Sequence, residues 1–170
     1  MASEMGLDIR VGYIGGGTPS SLTTGQLERL LDHVELRFGR LQEFTVEAGR
    51  PDTLDREKLS MMRAHPVTRI SINPQTMNDD TLRVIGRAHT AQQTIDCYHM
   101  ARDLGFTDIN MDVIAALPGE DYEMFAYTLD SIRNLAPDSL TVHTLAIKRS
   151  SKLHEQRYQQ QEEDVARMVA

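Results

Sequence analysis

The sequence predicts an α/β fold built on a parallel sheet. Short apolar, β-branched runs alternate with amphipathic helical stretches along the chain. Most of the strand runs end at glycine or proline. Three of them also divide into one apolar and one polar face, which sets a condition on what the sheet encloses.

The elements follow in order. "DIRVGYIG", over 8–15, reads as a strand ended by glycines. "TTGQLERLLDHVELRF", over 23–38, reads as a helix with Thr23 or Thr24 as N-cap. Its apolar face would comprise Leu27, Leu30, Leu31, Val34 and Phe38. "EFTVEAG" is a strand over 43–49, and "DREKLSMMRA" a helix over 55–64. "VTRISIN" is a strand over 67–73, stopped by Pro74. "DDTLRVIG" is a short helix. "TAQQTIDCYHMARDLGF" is a longer one, capped by Thr90 and stopped by Gly105. "DINMDVIAAL" is a strand stopped by Pro118-Gly119. "DYEMFAYTLDSIRNLA" is a helix ended before Pro137, and "SLTVHTLAI" is the fifth strand. A last, very polar helix follows over 151–170, which sets residues 1–150 apart as the main domain. Five strands fit either an open sheet or part of a (β/α) barrel.

The strand faces bear on that choice. Phe44, Val46 and Ala48 oppose Thr45 and Glu47. Ile70 and Ile72 oppose Arg69, Ser71 and Asn73, and Ile109, Met111 and Val113 oppose Asn110 and Asp112. A parallel sheet covered on both sides by helices would give nearly continuous apolar runs instead. An antiparallel sheet wetted on one side would explain the alternation, but the intervening helices argue against it. A barrel with a polar interior explains it better. Glu47, Asn73 and Asp112 would then converge on one cavity.

Composition excludes several classes of function. The chain has 170 residues, is 40% hydrophobic and 25% charged, and carries a formal net charge of −7. That is a globular composition. Lys and Arg form no basic stripe, so nucleic acid is not an expected partner. No apolar run is long enough for a membrane helix, and "MASEMGLDIR" has no secretory pattern, so a cytoplasmic location is expected. The single cysteine, Cys97, excludes an internal disulfide framework. The six histidines are scattered, with no metal-binding spacing, and no metal ligand or catalytic residue is assigned.

"YIGGGTPSSL" marks the first candidate site. It lies after a strand, at the end where α/β folds bind ligands. Glycines there admit positive φ and close approach, leaving backbone groups free to grip a polar ligand. The loop is neither a Walker A nor a Rossmann motif, because no Gly-Lys-Ser/Thr follows and the third spaced glycine is absent. A tight βα turn would also account for it.

Several motifs, in order, resemble the radical S-adenosylmethionine (SAM) enzymes of the oxygen-independent coproporphyrinogen III oxidase group, and its HemZ-like coproporphyrinogen dehydrogenases in particular. They are "YIGGGTPSSL", "FTVEAGRPDTL", "RISINPQTMNDDTLRVIGRAHT", "INMDVIAALPGE" and "LTVHTLAIKR", and they extend from about Arg10 to Arg149. The resemblance implies a parallel-stranded, partial (β/α)6 radical SAM barrel of TIM-like form, missing its first strand. Gly16, Gly17 and Thr18 match the family's glycine motif along the methionyl end of SAM. Glu47 matches an acidic residue that contacts SAM. Gln75, Arg87 and Asp112 match positions that bind a second SAM, and Ala146 a late-strand SAM contact. The implied activity is oxidative decarboxylation of two propionates of coproporphyrinogen III to vinyl groups in haem biosynthesis. A 5′-deoxyadenosyl radical abstracts the hydrogen, and the porphyrinogen is the small-molecule partner. Relatives of the group include haem chaperones and methyltransferases, and a non-catalytic SAM- or porphyrin-binding module is a further alternative.

One feature departs from the family. Its members hold a [4Fe–4S] cluster in a C-x3-C-x2-C loop tens of residues before the glycine motif. Gly15 lies fourteen residues after Met1, and no such loop is present. Lone Cys97, in mid-helix, cannot replace three thiolates. An interior piece of a radical SAM domain is therefore expected, inactive alone, with its first strand an exposed edge open to self-association.

Overall fold

In the computed structural model the described residues are 6, 8–145 and 166–168. They contain five strands: β1 (Val11–Ile14), β2 (Glu43–Gly49), β3 (Arg69–Gln75), β4 (Ile109–Ala115) and β5 (Ser139–Thr144). The helices between them are α1 (Thr24–Phe38), α2 (Arg56–Ala64), α3 (Asp79–Val84), α4 (Ala91–Asp103) and α5 (Tyr122–Leu135). Two 3-10 turns, Pro19–Ser21 and Pro51–Thr53, follow β1 and β2.

The sheet order is β1-β2-β3-β4-β5, and every pairing is parallel. Each strand therefore pairs with its neighbours in sequence, and all strand carboxyl ends lie at one edge. The five strands form the curled half-barrel of a TIM-like fold. Registers such as Val46 opposite Ile70 and Ile70 opposite Ile109 place apolar residues in rows across the sheet. These rows pack against Leu27 and Leu31 of α1, Leu59 and Met62 of α2, Cys97 and Ala101 of α4, and Phe125 and Ile132 of α5. The opposite face carries Thr45, Ser71, Asn110 and Asp112. The alternation seen in the strands thus separates a helix-covered face from a polar concave one.

Local chemistry sets the helix starts. Thr23 and Thr90 each form a capping box with a glutamine three residues on. Asp55 and Asp121 accept hydrogen bonds from Lys58 N and Met124 N. At the other end of α4, Gly105 adopts φ 88°.

Besides shifts of one or two residues at the start of β3 and at both ends of β4, the structure differs from expectation in three places. Leu30 and Phe38 of α1 are 38% and 45% exposed, so its buried stripe narrows to Leu27 and Leu31, with Val34 packed at the margin. The helix also runs against α2, where Asp32 Oδ1 lies 3.2 Å from His65 Nε2. β1 begins at Val11 rather than Asp8, since Val11 is the first residue registered with β2. Pro74 does not stop β3, which runs on to Gln75. The register against β4 shifts between Ile72 and Gln75, and this irregularity accommodates a residue without an N–H.

Most of the expected C-terminal helix lies outside the described residues. Ala166–Met168 are helical. Met168 joins the core, and the Arg167 guanidinium sits 4.3 Å from the centre of the Tyr122 ring. Among the described residues no helix is long and apolar enough to cross a membrane.

Candidate functional site

Strand ends shape the carboxyl edge. β1 runs into Gly16 and Gly17, with φ 83° and 65°, where a side chain would be strained whatever the space. Gly15 has a different constraint. A Cβ there would collide with the Tyr13 ring and lie 3.0 Å from Glu47 Oε2. The first glycine thus makes room for a carboxylate, and the next two turn the chain. At the last residue of β3 and just beyond β4, Gln75 and Ala116 adopt φ 70° and 63° without being glycine. Left-handed backbone at such residues is uncommon and marks local strain.

Glu47 is the hub of the edge. Its Oε2 accepts hydrogen bonds from Gly16 N at 3.2 Å and Tyr13 Oη at 3.4 Å. Its Oε1 accepts from Asn73 Nδ2 at 3.0 Å. Ser71 Oγ lies 3.0 Å from Asn73 Oδ1 and 3.5 Å from Asp112 Oδ2. One hydroxyl proton serves one of these acceptors at a time. Asn110 Nδ2 donates to Asp112 Oδ1 at 2.5 Å and lies 3.0 Å from Ser71 Oγ. A single polar chain therefore runs from the glycine loop through Glu47, Asn73 and Ser71 to Asp112.

The concave face holds a cavity of about 290 Å³ that includes Tyr13, Thr45, Ser71, Asp112 and His143 in its lining. Burial, then the charges of Glu47 and Asp112, raise the Tyr13 pKa. Its phenol consequently stays protonated and donates. At the amino end of the cavity Arg69 Nη2 donates to Ser139 Oγ at 2.6 Å, and its Nε lies 3.5 Å from Asp108 Oδ1. The cavity's lining carboxylates are Glu43 and Asp112, with Arg69 as the cation among them, so the groove offers acceptors of hydrogen bonds to a polar ligand. Glu47 and Asn73, expected to converge on the same cavity, adjoin it through the hydrogen-bonded chain but do not line it.

The expected site residues fall into three groups. Gly16, Glu47 and Asp112 are joined by the polar chain, and Gly17 and Thr18 continue the loop beside it. Gln75 is buried just beyond, its Nε2 3.5 Å from Asn73 O. Arg87 is half-buried in the segment after α3, with no hydrogen bond to that chain. Ala146 lies outside the described residues. Sequence reasoning missed Tyr13 as a member of the site. The signal was its alternation with Gly12 and Ile14, which puts it on the polar face.

A second network sits on the helical side. Glu120 Oε1 accepts from Asn78 Nδ2 at 2.9 Å and from Thr76 Oγ1. Thr128 Oγ1 accepts from Met77 N at 3.1 Å. This network ties the loops after β3 and β4 to α5.

Residues 2–132 match the Radical SAM superfamily. The chain belongs to that family. It is 46% identical over 144 residues to the oxygen-independent coproporphyrinogen-III oxidase-like protein HemZ of Bacillus subtilis (strain 168), covering 83% of this chain and 29% of that protein. It is 34% identical over 144 residues to the heme chaperone HemW of the same organism, covering 83% of this chain and 38% of the chaperone. Among solved structures, coproporphyrinogen III oxidase (HemN) from Escherichia coli superposes with a TM-score of 0.85 at 26% identity, over 96% of this chain and 39% of that one. The chain thus spans about a third of the length of these relatives.

Radical SAM proteins as a family use SAM and a [4Fe–4S] cluster. The open backbone at Gly16 and Gly17, beside the Glu47 carboxylate, fits SAM: a Cβ at either glycine would meet nothing within 4 Å. Among the described residues the cluster finds no comparable fit: no group of three His, Cys, Asp or Glu side chains there could hold a metal. Cys97 is buried in α4, where desolvation pushes its thiol up to about 12.

Proposed function

We propose that this chain is the SAM-holding part of a radical SAM oxidoreductase that acts on the propionates of a porphyrinogen, in the manner of oxygen-independent coproporphyrinogen III oxidase. The observation that carries the reading is the Glu47 carboxylate, which receives the Gly16 amide and is linked by Asn73 and Ser71 to Asp112. Bound SAM would supply the radical chemistry; the chain's own residues bind, orient and exclude water. Glu47 would accept from the ammonium or ribose hydroxyls of SAM, with Gly16, Gly17 and Thr18 along its methionyl end. Gln75, Arg87, Asp112 and Ala146 would contact a second SAM. A cytoplasmic location belongs to the same reading.

A second reading is a haem chaperone, supported by the 34% identity to the chaperone of Bacillus subtilis. Haem binding without affinity for coproporphyrinogen would favour it.

Calorimetric titration of the chain with SAM tests the main reading. Each polar contact contributes ~1–3 kcal/mol, so Glu47→Gln and Asp112→Asn should each weaken binding about 5- to 150-fold. Arg133→Ala, on the far surface of α5, should leave it unchanged. Absence of SAM binding by the unaltered chain, or equal affinity in all three variants, would refute it.

A further inference from the structure

We propose that Arg50 and Arg87 form a two-guanidinium clamp for a ligand carboxylate at the carboxyl ends of β2 and β3. The clamp rests on the function proposed above and adds to it Arg50, which follows β2 directly.

Several contacts place the two arginines together. A Cβ on Gly49 would lie 3.1 Å from Thr18 Cγ2, so the end of β2 packs on the glycine loop's own turn. Arg50 opens the 3-10 turn that carries Asp52. Asp52 Oδ1 lies 3.6 Å from His89 Nδ1, and His89 Nε2 donates to Pro74 O at 3.1 Å. These contacts bring the segments after β2 and α3 to one spot against the end of β3, beside Gln75.

Charge there is out of balance. Arg50 Nε is shielded from solvent with no hydrogen-bond partner. Among the described residues neither guanidinium makes a hydrogen bond or an ion pair, while the two act on each other as like charges. Burial, followed by the Arg50 charge, lowers the Arg87 pKa, and Asp52 is the carboxylate that opposes this. Burial also lowers the His89 pKa, so its ring is neutral near neutral pH and does not add a charge. Guanidinium groups do not escape by deprotonation. At Arg87 the Arg50 charge is opposed by one carboxylate, Asp52, and the unpaired, solvent-shielded Arg50 N–H points to a missing acceptor. A second carboxylate, gripped by planar N–H forks, meets both needs.

The carboxylate could be the amino-acid end of SAM or a porphyrinogen propionate, and calorimetry on the chain separates them. Four probes are used: SAM, decarboxylated SAM, coproporphyrin III and its tetramethyl ester. If the clamp holds SAM, Arg50→Gln weakens SAM about 10- to 100-fold and leaves decarboxylated SAM within about twofold. If it holds a propionate, the same selective loss appears for coproporphyrin III and not for the ester. Should Arg50→Gln fail to fold, Arg50→Lys carries the test, because it keeps the charge and loses the fork. Unchanged affinity for both acids in the Arg50 variant, with the unaltered chain binding normally, overturns the clamp alone. No binding of any probe by the unaltered chain overturns the functional reading with it.

Discussion

Replacing Lys58 with Met should loosen the carboxyl edge of the sheet by removing one buried ammonium group. Lys58 is 8% exposed on α2 and has no acidic partner among the described residues. Its Nζ donates to Ser20 O at 2.6 Å and to Thr53 O at 3.0 Å, joining the two 3-10 turns that follow β1 and β2. A hydroxyl contact between Ser20 and Thr53 at 2.5 Å reinforces the joint. Lys58→Met keeps the apolar stem and leaves two carbonyls without their donor. Hydrogen bonds to a charged donor contribute about 1.5–3 kcal/mol each. Part of that sum is returned because no ammonium need be desolvated. The net loss should be about 3 kcal/mol, which lowers Tm by about 6–12 °C in a domain of this size. Urea denaturation followed by circular dichroism measures it. Arg133→Met is the control, since the ion pair of Arg133 with Asp130 is exposed, and such pairs contribute about 0.5 kcal/mol or less. A Lys58→Met loss no larger than the control's would refute the reasoning.

Four further outcomes are expected. Burial lowers the His89 pKa below its ordinary 6.5, so the unfolded chain takes up a proton there that the native ring refuses; this stabilising contribution is full above about pH 6.5 and drains as pH falls below it. His89→Gln should therefore flatten the fall in urea midpoint between about pH 6.5 and 5.5, and equal slopes would contradict the assignment. Burial raises the Glu120 pKa above its ordinary 4.5, so its contribution is present at low pH and lost as pH rises through the native value. The stability of the unaltered chain relative to Glu120→Gln should then decline as pH rises above about 4.5, and a constant difference would count against this. Cys97 should resist a thiol reagent at pH 8 and react once urea unfolds the chain; fast native reaction would disprove its burial. β1 is an edge strand with Val11 59% exposed, so scattering mass should rise with concentration and fall back in Val11→Lys; a monodisperse monomer at high concentration would oppose strand pairing between chains.

Much of the fold could be read from residue order because local and tertiary preferences agree. β2 extends over the same residues that alternation marks, since Phe44, Val46 and Ala48 have one face to bury and Thr45 and Glu47 another. Thr90 was legible as a cap, and Thr23 as one of two candidates with Thr24; the glutamines three residues on that complete both capping boxes emerge only in the structure. The passage of β3 through Pro74 was not visible, because a proline ends most strands and only the β4 register shows the irregularity that admits it. The linkage of Glu47 to Asp112 was half legible: the face was written in the alternation, but the bridge through Asn73 and Ser71 needed the register of three strands. Lys58 and Arg50 gave no signal. A lysine in a helix and an arginine before a proline read as surface residues, and only tertiary packing buries the groups that matter.

The order of the sheet also has a consequence for how the chain assembles and opens. Every strand pairs with its neighbours in sequence, so no pairing needs a distant part of the chain to arrive first. The fold can grow by adding one βα unit at a time, as stacked repeats do. Protection of backbone amides from hydrogen exchange should then form a gradient. β2, β3 and β4 are largely buried, whereas β1 and β5 alternate or remain exposed at the margins. The inner three strands should exchange only on global opening, and the outer two by fraying. The glycine loop hangs from the β1 margin. A ligand gripped by Gly16 and Glu47 together would pin the loosest strand to the firmest part of the sheet, slowing exchange along β1 well beyond the residues it touches.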